Sequence, residues 1–287
     1  MHANDAPLEP GLYLVATPIG NLEDITLRAL RILRSVDRIA CEDTRQTQKL
    51  LNHYSIQKPT VSYHMHNEAA RTEELIAELK SGGRIAVVSD AGTPGIADPG
   101  GYLAQAAIAA GVPVFPIPGA NAAVSALIAS GLPAERFTFH GFLPAKEGAR
   151  KTALEVLERS GTTHIFYEAP HRILGTLEDI ASVFGSLLPV VVARELTKMH
   201  EEFLRGTAQD VHATLASRAQ VRGEIVLLFA PTASETVATK SIAVEVAELR
   251  KAEGLSEMDA LKRVAKARGI GKSEAYRELQ REQNRLR

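Results

Sequence analysis

Cysteine occurs once in this 287-residue chain, tryptophan not at all, and aromatic residues make up only 5%. The single thiol, Cys41, has no partner for an internal disulfide and excludes a CxxC or Cys/His zinc motif. Apolar runs such as Ile225 to Pro231 are far too short to cross a bilayer. The start, Met1-His2-Ala3-Asn4-Asp5, has neither the basic opening nor the apolar core of a secretory leader, so a cytoplasmic protein without membrane association is expected. No GxGxxG follows the first strand-like segment, which argues against a dinucleotide-binding Rossmann site. Gly269-Ile270-Gly271-Lys272-Ser273 carries the GKS of a P-loop. However, the position that needs the loop's first glycine holds Lys266, and a helical pattern precedes it, so this reads as a turn between helices. Nor is there a strong excess of either charge, since the formal net charge is −1.

The rest of the composition is that of an ordinary globular protein, 45% hydrophobic and 23% charged. The length exceeds one typical domain and points to two plus an appendage. Short apolar segments alternate with helical patterns: Leu12 to Ala16 (strand), Asp24 to Arg34 (helix), Asp37 to Cys41 (strand), Thr44 to Leu51 (helix), Thr60 to Tyr63 (strand) and Glu68 to Lys80 (helix). Arg84 to Val88 is the clearest strand, nearly all apolar, as a strand covered on both faces should be. Helix Tyr102 to Ala110 and strand Pro113 to Ile117 follow. This alternation predicts a mostly parallel sheet with helices on both faces. After the alanine-rich helix Asn121 to Ser130, strands at 137–142, 164–167, 189–193, 202–205 and 224–229 come with less helix between them, which predicts a mixed sheet. Beyond the polar linker starting at Pro231, three amphipathic helices are expected at 242–251, 256–267 and 272–286. The expected domains are an N-terminal α/β domain over 1–118, a C-terminal mixed-sheet α/β domain over 119–232, and a linker with a basic three-helix extension over 233–287. The last 26 residues hold nine Lys/Arg against three Asp/Glu. Such a tail on a mildly acidic body suits contact with a polyanion, or equally a solvated helix.

The chemistry-bearing residues gather where strands end, and ligands of open α/β sheets bind there. Ser89-Asp90-Ala91-Gly92-Thr93-Pro94-Gly95-Ile96-Ala97-Asp98-Pro99-Gly100 follows the clearest strand and carries more Gly, Pro and Asp than a turn needs. Thr17-Pro18-Ile19-Gly20-Asn21 and Pro118-Gly119-Ala120-Asn121-Ala122 end two other strands, and the second opens a helix whose first amides can hold an anion. Together they predict one shared cleft. Glu42 and Asp43 join a strand to a helix, where they can accept a proton, bind a cation or cap the helix. His64 and His66, two apart on an extended segment, suit acid–base chemistry, RNA contact or metal ligation. Glu168, His171 and Arg172 surround another helix start.

These stretches, with Phe166-Tyr167-Glu168-Ala169-Pro170-His171-Arg172, resemble the tetrapyrrole (uroporphyrin-III C/corrin) methylase family, and within it the branch that acts on small-subunit ribosomal RNA. The resemblance spans about residues 11–230, and the basic tail looks like that branch's C-terminal extension. It implies an α/β fold, two α/β domains of tetrapyrrole-methylase type with a small C-terminal helical extension. It also implies S-adenosylmethionine as methyl donor, no metal, a homodimer, and 2′-O-methylation of a cytidine ribose in the decoding region of 16S ribosomal RNA within the small ribosomal subunit. By that likeness Pro18, Ser89, Asp90, Gly92, Thr93, Asn121, Ala122 and Glu168 bind the donor. The family's usual Gly-Gly-Asp is here Val88-Ser89-Asp90, and the Gly-Ala-Gly-Pro-Gly start of the tetrapyrrole enzymes is absent, which argues against a porphyrinoid substrate. A ribose hydroxyl is a poor nucleophile, so a base is expected, with Glu42, Asp43 and His66 as candidates. With few aromatics, base stacking falls to Tyr63, Tyr167 or Arg planes. Competing readings are a metal-dependent hydrolase built on Asp90, Asp98, His64 and His66, a small-molecule methyltransferase of the same fold, and a non-catalytic RNA-binding assembly factor.

Overall fold

The computed structural model describes residues 7–64, 67–232, 242–268, 275–276 and 279–280. The chain divides into two compact units, residues 1–231 and 232–287.

In the first unit, strands β1 (Gly11–Val15), β2 (Arg38–Cys41), β3 (Thr60–Ser62), β4 (Arg84–Val88) and β5 (Val114–Ile117) form one sheet in the order β3-β2-β4-β1-β5. All its pairings are parallel. Helices α1 (Leu27–Ser35), α2 (Thr44–His53), α3 (Glu68–Lys80) and α4 (Gly101–Ala109) connect these strands. Alternate side chains of a strand face opposite ways, and the sheet uses both faces. Tyr13, Val15, Ile39, Cys41, Ala86 and Val88 pack with Ala29, Ile32, Leu33 and Leu51 of α1 and α2. Leu12, Ala40, Ile85 and Val87 pack with Leu75, Leu79, Leu103 and Ala107 of α3 and α4. The near-continuous apolar run of β4 is the direct result.

Helix α5 (Ala122–Ser130) leads from β5 to a second sheet. Its strands are β6 (Phe137–Phe142), β7 (Thr163–Glu168), β8 (Pro189–Arg194), β9 (Glu202–Thr207) and β10 (Ile225–Phe229), in the order β6-β7-β10-β8-β9. Only β6 and β7 run parallel, so the sheet is mixed, as the sparser helices of this half predict. Helices α6 (Glu147–Glu155), α7 (Ile173–Phe184) and α8 (Ala208–Ala216) cover one face, burying Leu154, Ile173, Leu177 and Leu215 against Phe166, Val192, Leu227 and Phe229. The other face receives Ala123, Ala126 and Leu127 of α5, together with Ile19 from the loop after β1. That loop therefore joins the two sheets through one shared cluster.

The second unit contains α9 (Ile242–Glu253) and α10 (Glu257–Arg268), packed through Ile242, Val246, Leu261 and Val264. The Ser256 hydroxyl accepts from the Asp259 amide at 3.2 Å and donates to its carboxylate at 2.7 Å, a capping arrangement with Asp in the usual Glu position. Most of the expected helix 272–286 lies outside the described residues.

One expected helix differs. The pattern over Asp24–Arg34 predicts a continuous helix, but a 3-10 turn over Leu22–Asp24 ends at Ile25, and α1 begins only at Leu27. Two caps compete in this stretch. Asn21 accepts from the Glu23 amide at 3.0 Å, and Thr26 accepts from the Ala29 amide at 3.0 Å. Each side chain satisfies amides that a single longer helix would have to orient along one axis.

Candidate active site

The loops at the strand ends of the first sheet meet the second sheet and enclose a cleft. Its frame is a short antiparallel bridge between the loops after β1 and β4: the Thr17 amide donates to Gly92 O at 2.8 Å, and the Gly92 amide to Thr17 O at 3.1 Å. Gly92 adopts φ +84°, a left-handed conformation that favours glycine, and this turns the loop back across the end of β1. Beneath it the buried Ser89 hydroxyl donates to Gly92 O at 3.2 Å, and Thr17 Oγ1 donates to Ser89 O at 3.2 Å. A third loop completes the frame. Thr93 Oγ1 donates to Ala120 O at 3.1 Å, while Asn121 caps α5 by accepting from the Val124 amide at 3.1 Å. At Gly119 a Cβ would lie 2.9 Å from that of Ala16, so this strand end tolerates only glycine.

Two hollows flank the bridge. The first, about 310 Å³, is lined on the polar side by Thr93, Asp98 and Asn121, and on the apolar side by Ile96, Leu196 and Val226. Gly92, Ala122, Tyr167 and Glu168 also border it. The second, about 580 Å³, is lined by Pro18, Ser89 and Asp90 together with Gln46, Lys49 and His53 of α2. They share Ile19, Ala91 and Glu224. The eight residues matched to a donor site are thus divided: Gly92, Thr93, Asn121, Ala122 and Glu168 border the first hollow, and Pro18, Ser89 and Asp90 the second.

The carboxylates differ sharply in state. Glu168 is buried. Its Oε1 accepts from the Ala169 amide at 2.8 Å and pairs with Arg172 at 3.2 Å, and its Oε2 accepts from the Thr176 hydroxyl at 2.7 Å. Arg172 in turn donates to Leu143 O at 2.7 Å. The Glu168 carboxylate therefore fixes the Ala169–Pro170 wall, with its oxygens turned to partners inside the protein. Asp43 caps α2, accepting from the Arg45 amide at 2.8 Å and pairing with its guanidinium at 2.8 Å. The Arg45 hydrogen bonds hold its carboxyl down at about 2, which makes it a weak base. Glu42 titrates above the usual range because burial, and then Asp90, penalise its charge; His64 partly offsets them. Asp98, half-buried at the first hollow, is pushed up to about 6 by burial and by the Glu42 and Asp90 charges. Asp90 itself accepts from the Asp43 amide at 3.1 Å.

Of the remaining candidates, His66 lies outside the described residues. Tyr63 is fully buried with its hydroxyl 3.2 Å from Thr72 Oγ1, so it offers no face for stacking. Tyr167 does border the cleft, next to the exposed ring of Phe142 at 5.8 Å. Among the described residues no group of three or more His, Cys, Asp or Glu side chains is arranged to hold a metal ion, and His66 of the hydrolase reading on Asp90, Asp98, His64 and His66 lies outside them.

Sequence reasoning passed over the loop after β8. Asn21 donates its amide to Thr197 Oγ1 at 3.0 Å, and Lys198 sits between Glu195 at 2.8 Å and Glu224 at 3.0 Å. Glu195 and Thr197 both take left-handed backbone, at φ +53° and +64°. The available signal was its position, a polar run directly after an apolar strand.

Two α/β sheets joined through one cluster, with a cleft bordered by glycine-rich strand-end loops, form the architecture that the family comparison identifies. The family model for tetrapyrrole (corrin/porphyrin) methylases matches residues 11–212, and the chain belongs to that family. The chain is 50% identical to the ribosomal RNA small subunit methyltransferase I of Halalkalibacterium halodurans, over 92% of this chain and 93% of that protein. It is 46% identical to the Bacillus subtilis protein of the same name, over 92% of each. Among solved structures, diphthine synthase shares the fold with a TM-score of 0.58 at 15% identity, covering 77% of this chain and 89% of that one. The uroporphyrin-III C-methyltransferase of Thermus thermophilus complexed with S-adenyl homocysteine does so with a TM-score of 0.51 at 18% identity, covering 76% and 97%.

Proposed function

We propose that this protein transfers a methyl group from S-adenosylmethionine to the ribose 2′-oxygen of a cytidine in the decoding region of 16S ribosomal RNA. The likeness to small-subunit methyltransferases over nine-tenths of the chain supports the substrate class. The observation that carries the reaction is the pair of hollows meeting at Ile19, Ala91 and Glu224, one suited to a donor and one to an acceptor.

The first hollow fits the donor chemically. Ile96, Leu196 and Val226 offer apolar walls to a flat base, Thr93 and Asn121 offer polar groups, and Ala122 brings the start of α5 to the edge of the hollow. The donor supplies a methyl already activated on a positive sulfonium. The protein's part is therefore to align the acceptor oxygen with it and to exclude water, and positioning of that kind supplies up to roughly 7–11 kcal/mol of a barrier. The second hollow opens beside Gln46, Lys49 and His53, a polar rim suited to an unstacked nucleotide. The basic residues of the C-terminal unit hold phosphates without reading sequence. We also read the protein as a homodimer. Val124 and Ile128, one turn apart on α5, expose apolar surface available for that contact.

Incubation of the protein with labelled S-adenosylmethionine and unmodified small ribosomal subunits, followed by nuclease mapping, tests this reading. The expected product is label in a 2′-O-methylated, alkali-resistant dinucleotide containing cytidine. Label on a base would discard the ribose mechanism, and absence of both label and donor binding would discard the enzyme.

A further inference from the structure

Alkylating a ribose hydroxyl releases a proton, and among the described residues the cleft offers few groups able to take it. Asp43 is committed to Arg45, Glu168 to Arg172 and Thr176, and Glu224 to Lys198. The Tyr167 hydroxyl is pushed up by burial and stays protonated at neutral pH. Asp98 differs from these in having no cation paired with it among the described residues; a hydrogen bond with the Ser89 side chain, which lines the second hollow, only partly offsets the rise in its pKa. Asp98 borders the first hollow, and it feels the charges of Glu42 and of Asp90, which lines the second. Its backbone is set from both sides: Ala97 before it is left-handed at φ +62°, and the Gly95 amide donates to the carbonyl of Pro99 after it at 3.2 Å. A non-glycine residue in that conformation is costly and persists where the surroundings impose it, often at functional sites.

Resting on the methyltransferase reading above, we propose that Asp98 is the catalytic proton acceptor. Its carboxylate takes the proton from the attacking 2′-hydroxyl while the oxygen bonds to the methyl carbon. The carbon–sulfur bond breaks with its electron pair returning to sulfur, and the proton then passes from Asp98 to solvent. Burial and the Glu42 and Asp90 charges keep the carboxyl at about 6, basic enough to accept a proton and ionised at neutral pH. Glu42 and Asp90 act as positioning charges: they raise the basicity of Asp98, and their negative charge suits a cationic donor.

The test is single-turnover methyl transfer to small subunits across pH 5–9, with donor-product binding measured by calorimetry on the same proteins. In wild type the rate rises with pH through about 6 and then levels. Asp98→Asn should lower the plateau rate by about 10²–10⁴-fold and abolish the acidic limb, while S-adenosylhomocysteine affinity stays within about threefold. Asp98→Glu should restore part of the rate together with a pH limb. An Asn variant within threefold of wild type with the limb intact overturns the proposal, as does one that loses S-adenosylhomocysteine binding, which would make Asp98 a donor ligand. Failure of the methyltransferase reading shows separately, as wild type without transfer, and takes this assignment with it.

Discussion

At the scale of single residues, the cleft is governed by how each carboxylate is partnered. Asp43 and Asp98 have the same side chain, yet one is held at about 2 by Arg45 and the other raised to about 6 by burial and two like charges. The raised group has a consequence for stability as well as for rate. Because folding lifts the Asp98 pKa from 3.8 to about 6, the folded state binds the proton more tightly than the unfolded chain. The ionised carboxylate therefore opposes folding above pH 6, and stability is regained as pH falls from about 6 towards 4. Asp98→Asn removes the charge and should melt at a higher temperature than wild type at pH 8. The gap should shrink as pH falls through about 6 and close near 4. Scanning calorimetry at these pH values decides it, and equal melting at pH 8 would show that the charge is well solvated. A variant that gains stability and loses rate is the pattern expected of a group held in an unfavourable place for its chemistry. The pairings of Glu168 with Arg172 and Asp43 with Arg45 connect neighbours in sequence. Both carboxylates were visible there as ionisable groups beside helix starts, but the direction in which their oxygens point was not.

At the scale of elements, β4 was readable because burial on two faces leaves an apolar run, and the expected Arg84 to Val88 coincides with it; β6, mostly exposed, coincides with the expected Phe137 to Phe142 through its alternating aromatic residues instead. Helix ends were less readable, since competing caps such as Asn21 and Thr26 divide a pattern that periodicity alone runs together. Least readable was the loop after β8. Left-handed backbone at Glu195 and Thr197 is imposed by contacts, and no residue type announces it. Those contacts cross the cleft. At Gly20 a Cβ would lie 2.8 Å from Thr197 Oγ1 and 3.1 Å from Leu196 O, so the loop after β1 approaches the loop after β8 as closely as glycine permits. Leu196 lines the first hollow, and Gly20 the second. Gly20→Ala should therefore push the loops apart, destabilise the fold by about 1–3 kcal/mol as overpacking does, and weaken donor binding by about tenfold or more. Calorimetric titration with S-adenosylhomocysteine alongside thermal melting measures both. Loss of stability with unchanged affinity would mean that the first hollow keeps its shape without this contact.

At the scale of the whole molecule, charge is divided along the chain in a way that neither unit explains alone. The first 240 residues carry a formal balance of −4, and the last 26 carry +6. Around the cleft Glu42, Asp90 and Asp98 add negative charge, which suits a cationic donor but repels a phosphate backbone. An RNA substrate thus gains little attraction from the body of the protein, and the C-terminal residues are the natural source of it. The two units are separately compact, and among the described residues the clusters at the cleft are built from the first. A chain ending at Pro231 should therefore keep its S-adenosylhomocysteine affinity within about twofold. Its kcat/KM on small subunits should fall by tenfold or more at about 150 mM salt, mainly through KM, because lost phosphate contacts weaken binding and leave the reacting groups in place. The logarithmic dependence of kcat/KM on salt should also become shallower, since each phosphate contact removed takes away about 0.7–0.9 of slope. An unchanged slope would remove the C-terminal unit from the RNA interface and move the search for phosphate contacts to Lys49, His53 and the rim of the second hollow.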